Sequence, residues 1–247
     1  MGKPEEPSAN VKEHYGKLAI QLQNENNAPC CTADCCQPEV ASEASTQPTE
    51  PRSLSLGCDL RLLDVADPQA GEIVLDLGSG PGHDTRKLAD RVGPTGEVIG
   101  IDFGEEMIEL ARQRSVGYSN ISYLQADITD IPLEEGIADL IVSNCVFNLI
   151  PDRSAAFKEV FRLLQPGGRL VISDMITNLT GHSPAGEEYC ACIGGATSIE
   201  EYTQMMQQLG FVDIHTKTEY NAEYGSAGNM IPYSSVLFQG RKPKSHS

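Results

Sequence analysis

The sequence predicts an α/β protein: a Rossmann-like, mainly parallel sheet of seven strands with helices on both faces. Three observations carry that expectation. From Glu72 onward, short runs rich in leucine and β-branched residues alternate with amphipathic helical stretches, the pattern of βαβ units. A glycine-rich turn, "DLGSGPGHD", closes the first run and opens a helix. The chain has 247 residues, enough for one sizeable domain with a covered core.

The elements follow in order. Residues 1–23 read as a short helix with Leu18, Ile20 and Leu22 as its apolar members. From Asn24 to Ser55 the chain is rich in Asn, Pro, Ser, Thr and Glu and poor in large apolar residues, the composition of a flexible arm, and it carries "CCTADCC". The expected division is an amino-terminal helix and cysteine-containing arm over 1–55, and one folded domain over 56–247. A helix is expected from Gly57 to Ala66, ended by Pro68 and Gly71. Strands are expected at "EIVLDLG", "GEVIGID", "ISYLQAD", "IADLIVSNC" and "GRLVISDM", with helices at "HDTRKLADRV", "GEEMIELARQRSV" and "AAFKEVFRLLQ" between them. "IEEYTQMMQQLG" is a helix with a glycine stop, and "FVDIHTKTE" and "SSVLFQGRK" are the last two strands.

A formal charge of −17 opposes binding to nucleic acid or to an anionic membrane surface. No run of eighteen apolar residues offers a membrane span, and the first residues lack the apolar stretch of a secretory signal. The expected compartment is the cytosol. There, eight cysteines point to ligands or reactive thiols rather than structural disulfides.

In such a sheet, ligands bind beyond the carboxyl ends of the strands. Gly78, Gly80 and Gly82 allow a tight turn and close approach of backbone to a ligand. The third glycine comes one residue too early for the dinucleotide spacing Gly-x-Gly-x-x-Gly. Asp76 lies just before the turn, and an acid there suits an ammonium or sulfonium group better than a diphosphate. Asp102 ends the second strand, placed to accept ribose hydroxyls. Asp127 ends the third, placed to accept an adenine amine. His14, His83, His182, His215 and His246 show no ligand spacing and are expected at the surface.

From about residue 71 to 175 this constellation resembles the class I S-adenosylmethionine-dependent methyltransferases, and "LLQPGGRLVISD", with a Pro-Gly-Gly turn expected before the fifth strand, strengthens the likeness. The resemblance implies S-adenosylmethionine as cofactor. It implies that Asp76 and the glycine loop hold the methionine part and Asp102 the ribose. Phe103, Met107 and Ile128 would then face the adenine, with Asn144 also among the cofactor-binding residues.

On the residues alone, the thiols could be core filler, a zinc site, a redox pair or a trap for a soft centre. "SNCVFNLIPD", "YCACIGGA", "LGCDL" and "VKEHYGK" together resemble segments of the arsenite methyltransferases. That resemblance implies As(III) held by Cys58, Cys145 and Cys192, methylated in turn to mono- and dimethylated products. Trivalent arsenic is soft and takes three thiolates in a pyramid, its lone pair facing away. The lone pair is then the nucleophile, and no general base is needed. Cys190, in a C-x-C pair with Cys192, stands where many relatives have glycine; it is an alternative ligand, a redox partner or a bystander. Cys30, Cys31, Cys35 and Cys36 read as an arm that captures arsenite or exchanges disulfides, with zinc or no role as alternatives. Leu56 stands where an aromatic residue often precedes the Gly-Cys. The chain reads as a short form, since many relatives continue into a cysteine-bearing carboxyl-terminal region. The implied partners are arsenite or its thiol conjugates and a thiol reductant such as thioredoxin or glutathione, with no nucleic acid, no membrane and a monomeric state. Two other readings stand beside this one: methylation of a small organic acceptor such as a quinone-type ring, and a thiol-based arsenic- or metal-binding protein.

Overall fold

A computed structural model describes residues 7–24, 61–178, 195–226 and 229–244. The elements are α1 (Pro7–Asn24), α2 (Leu62–Ala66), β1 (Ile73–Leu77), α3 (His83–Val92), β2 (Glu97–Asp102), α4 (Glu105–Arg114), β3 (Ile121–Gln125) and β4 (Ala138–Asn144). After a single 3-10 turn, Phe147–Leu149, come α5 (Arg153–Leu163), β5 (Leu164–Ile176), α6 (Ile199–Leu209), β6 (Val212–Ser226) and β7 (Asn229–Arg241). The seven strands form one sheet in the order β3-β2-β1-β4-β5-β7-β6. β7 runs antiparallel to β5 and β6, and the other neighbours are parallel. The order reverses between β1 and β4, which opens a crevice beyond their carboxyl ends.

Strand alternation sets the two layers. Leu75, Leu77, Ile99, Ile101, Ile141, Leu170, Ile172, Val236 and Phe238 bury one face against Phe157 and Val160 of α5 and Tyr202 and Met206 of α6. Val74, Val98, Leu140, Val142, Val171 and Leu237 bury the other against α2 and Leu88, Ala89 and Val92 of α3. Each fully buried side chain of this size contributes about 1.5–3 kcal/mol. Helix ends are fixed locally. The Asp152 carboxylate accepts from Ala155 N–H at 2.9 Å to start α5, and Gly210 ends α6 in the left-handed conformation.

Several sequence expectations change. On α1, Leu22 packs against Leu110 of α4 with Leu18 beside them, as expected, and Val11 and Ala19 are also buried, whereas Ile20 is exposed. Spacings of eight and three residues lie on one helical face, and Ile20 falls off it. The Pro166-Gly167-Gly168 stretch, expected as a turn, lies inside β5, beside a register shift against β4 between Ala138 and Leu140. β6 and β7 extend well past the stretches expected as strands, because each supplies the other's hydrogen bonds out to Ser226 and Asn229. Of the helix expected from Gly57 to Ala66, residues 61–66 fall within the described residues, and Leu62–Ala66 is helical. No described helix is long and apolar enough to cross a membrane.

Candidate active site

The glycine turn joins β1 to α3 at the crevice. Gly78 N–H and Ser79 N–H both donate to the Ile101 carbonyl, at 2.7 and 2.9 Å, which ties the turn to β2. Gly78 has φ +71, and a Cβ there would collide with Val146 Cγ2. Only glycine allows the chain after β4 to pack this closely on the turn.

Three strand ends converge here on the α3 side. Asp76 of β1 is buried and accepts from Thr85 Oγ1 at 2.6 Å. Burial, then the charge of Asp84 and more weakly that of Asp102, pushes its carboxyl up to about 7, against the Thr85 hydrogen bond. Asp102 of β2 accepts from Gly80 N–H and Gly104 N–H, both at 2.9 Å, so it braces the turn as well as facing the crevice. Burial raises its carboxyl too, with those backbone donors opposing the shift. Asn144, the last residue of β4, donates through Nδ2 to Asp84 at 3.1 Å.

Three buried polar atoms at this turn have no hydrogen-bond partner among the described residues: Ser79 Oγ, His83 Nε2 and Asn144 Oδ1. Each such atom costs about 1–3 kcal/mol if left unmet. Together with an acid whose charge is disfavoured until a cation arrives, they suit a polar, positively charged ligand such as S-adenosylmethionine. The expectation that His83 is a surface residue is therefore corrected. It starts α3 half-buried, and burial followed by the Lys87 charge lowers its pKa. His14 and His215 are exposed, as expected, and His182 and His246 lie outside the described residues.

The expected adenine contacts are arranged along β2, α4 and the end of β3. Phe103 is half-buried, whereas Met107 is 1% exposed and Ile128 7% exposed within the main core cluster. Asp127 is exposed, and its Oδ1 accepts from both the N–H and the hydroxyl of Thr129 at 2.8 and 2.7 Å.

Cys145 directly follows β4. It is 3% exposed, takes the left-handed conformation with φ +57, and donates its N–H to the Ser173 carbonyl at 2.8 Å. Met175, Ile231 and Tyr233 pack around it, with Ala196 beside them. Its neighbour Val146 is the residue that meets Gly78, so this thiol turn abuts the glycine loop. Cys145 is disulfide-bonded. Every other cysteine, namely Cys30, Cys31, Cys35, Cys36, Cys58, Cys190 and Cys192, lies outside the described residues.

Other residues enter the site that the sequence did not single out. Asp84 and Thr85 look like ordinary first-turn residues of a helix. Outside the site, Asp174 lies fully buried near the carboxyl end of β5, where the criterion that selected Asp102 would have found it.

Comparison with known proteins agrees with this geometry. A family model described as a methyltransferase domain matches residues 68–210, and the chain belongs to that family. It is an S-adenosylmethionine-dependent methyltransferase. Within that class its kinship is with the arsenite methyltransferases. It is 30% identical to the arsenite methyltransferase of Halobacterium salinarum over 97% of this chain and 68% of that protein. A crystal structure of an arsenic(III) S-adenosylmethionine methyltransferase from Chlamydomonas reinhardtii superposes with a TM-score of 0.62 at 27% identity, covering 77% of this chain and 69% of that one. The demethylmenaquinone methyltransferase of Lactococcus lactis is 32% identical over 71% of this chain and 77% of its own length. The chain spans about two thirds or less of the curated arsenite methyltransferases it matches.

Proposed function

We propose that the protein methylates trivalent arsenic, taking arsenite or its thiol conjugates as substrate and giving mono- and then dimethylated arsenicals. The observation that carries this reading is the position of Cys145, on a turn that packs through Val146 against the glycine loop. When bound, S-adenosylmethionine supplies an electrophilic methyl group. Asp76 and the glycine turn would hold its methionine end, and Asp102 its ribose.

On the protein side, Cys145 with Cys58 and Cys192 would present As(III) as a trithiolate, which leaves the arsenic lone pair as nucleophile. The apolar wall of Met175, Ile231 and Tyr233 would keep water from the sulfur, so positioning and desolvation do most of the work. Forming the As–C bond would use the lone pair, break the sulfonium's bond to its methyl group with S-adenosylhomocysteine leaving, and raise arsenic formally by two. Two electrons from a pair of thiolates restore the trivalent state and leave a disulfide. A thiol reductant such as thioredoxin or glutathione must then return two electrons and two protons. Such a cycle would leave Cys145 in a disulfide, which must be reduced before arsenite can bind.

Likeness to a demethylmenaquinone methyltransferase keeps ring methylation as a second reading. One experiment separates the two. Transfer of labelled methyl from S-adenosylmethionine should require both arsenite and a thiol reductant, and a demethylated quinone should not replace arsenite. Transfer to the quinone without arsenite would reverse the order of the two readings.

A further inference from the structure

Behind the Cys145 turn lies a buried polar chain that neither the cofactor site nor the thiols use. Asn148, at the centre of the 3-10 turn, is fully buried. Its Nδ2 donates to the Met175 carbonyl at 2.6 Å, which fixes the amide's orientation, since only the nitrogen can donate. Its Oδ1 therefore faces Tyr202 Oη, 2.9 Å away. Tyr202, fully buried on α6, also places Oη 2.8 Å from Asp174 Oδ2, near the carboxyl end of β5.

Counting protons decides the state of this chain. Tyr202 has one proton, and both of its neighbours are acceptors if Asp174 is ionised. One of the two contacts must then lack a hydrogen. Two buried oxygens at this separation with no hydrogen between them repel each other. If Asp174 carries a proton on Oδ2, every contact along the chain is satisfied in one direction: Asp174 donates to Tyr202, Tyr202 to Asn148, and Asn148 to the Met175 carbonyl. Asp174 Oδ1 has no hydrogen-bond partner among the described residues, and an unmet oxygen costs less on a neutral acid than on a carboxylate.

We propose that Asp174 is held protonated and heads a one-way hydrogen-bond chain through Tyr202 and Asn148 that positions the Cys145 turn. The claim about protonation stands on the chain alone; the claim about catalysis rests on the arsenic reading above. Three further observations fit. Cys145 keeps a left-handed backbone, which a non-glycine residue holds only when its surroundings dictate it. A Cβ at Gly195 would collide with the Asn148 carbonyl, so a second segment is clamped on the same turn. Burial also pushes the Asp174 carboxyl up to about 7. Arg153 at the start of α5 is the charged group that opposes this. Its guanidinium hydrogen-bonds the Phe147 carbonyl at 3.1 Å and the Gly195 carbonyl, and no hydrogen bond joins it to the carboxylate among the described residues. Tyr202 is the other titratable group on the chain, and burial followed by the Asp174 charge raises its pKa. The apolar rings of Phe157 and Phe238 enclose the rest of it.

Asp174 and Tyr202 are thus positioning residues, acting on Cys145 through Asn148. Ionising Asp174 leaves Tyr202 with two acceptors and loosens Asn148, so the turn should slacken as pH rises past about 7. Asp174→Asn presents an N–H to Tyr202 and mimics the protonated acid, whereas Tyr202→Phe keeps the ring and breaks the chain.

The test uses the full-length protein and three readouts. Infrared difference spectroscopy at pH 6, parent minus Asp174→Asn so that the Asp76 contribution cancels, should show a protonated-carboxyl band that belongs to Asp174. With the enzyme reduced, alkylation of Cys145 by a small reagent, followed by peptide mass spectrometry, should run about tenfold faster in Tyr202→Phe than in the parent, with S-adenosylmethionine affinity unchanged. Methyl transfer to arsenite in the parent should fall along a one-proton limb above neutral pH, and Asp174→Asn should lack that limb at a rate within about threefold of the parent. Absence of the carboxyl band, or a limb retained in Asp174→Asn, overturns the proposal. Unchanged Cys145 reactivity in Tyr202→Phe also overturns it. Failure of the parent to methylate arsenite would sink the arsenic reading alone, since the first two readouts need no arsenical.

Discussion

Binding of S-adenosylmethionine should be linked to the ionisation of Asp76, and the size of the effect follows from the site. Asp76 is 4% exposed, and its carboxyl is raised to about 7 by burial and by Asp84 and Asp102. A sulfonium or ammonium group beside it stabilises the carboxylate and draws its pKa back toward the ordinary range. Only the ionised form then binds well. About 3% of Asp76 is ionised at pH 5.5 and about three quarters at pH 7.5. Affinity should therefore rise about 25-fold over that range, or about 1.9 kcal/mol. The range stops short of the ligand's own amino-group titration, which lies near 8. Calorimetry at several pH values, in two buffers of different ionisation enthalpy, gives both the affinity and the protons released. Close to half a proton should leave per ligand bound at pH 7. Asp76→Asn should bind weakly and without pH dependence. A parent affinity that is flat between pH 5.5 and 7.5 would remove Asp76 from contact with the cation.

Gly78→Ala combines a left-handed backbone with a collision against Val146, costs of about 1–2 and 1–3 kcal/mol. It should abolish detectable S-adenosylmethionine binding by calorimetry, and adding Val146→Ala should restore part of it. The cofactor-free protein should lose stability as pH rises. Asp76 and Asp174 are raised to about 7 while unfolded Asp titrates near 3.9, so the native state holds up to two extra protons between those values. Their contribution is fully present below about pH 4 and lost as pH passes 7, so the urea midpoint should be higher at pH 5 than at pH 7.5, with a flatter profile in Asp76→Asn. Methylarsenite has only two positions left for sulfur. Cys58→Ser should therefore block methylation of arsenite while sparing that of methylarsenite, whereas Cys145→Ser and Cys192→Ser should lose both, as read by product speciation.

Where the sequence spoke clearly, it did so through features that are local. The helix at His83–Val92 coincides with its expected span, because Gly82 opens it, Gly93 ends it and the pattern between is helical. β1, β2 and β4 are legible as buried runs with Asp76, Asp102 and Asn144 at or next to their carboxyl ends, and an acid or amide at such an end has little purely structural use. The long β6–β7 hairpin is not legible. "YNAEYGS" has weak strand character, and only pairing with β7 makes it a strand. Tyr202 and Asn148 are hidden for the same reason. Each fits its own helix or turn, and their hydrogen bonds join segments 54 residues apart in sequence. Cys145 falls between these cases. Its place at a strand end is readable, but its left-handed backbone and its contact with the glycine loop through Val146 come only from the fold.

The central claim is that Cys145 presents arsenic by its sulfur beside the glycine loop. X-ray absorption at the arsenic edge, on the reduced protein loaded with one equivalent of arsenite, tests it most directly. The account predicts three sulfur neighbours in the parent and at most two in Cys145→Ser, with S-adenosylmethionine binding intact in both. Oxygen neighbours in the parent, or three sulfurs retained in Cys145→Ser, would contradict it.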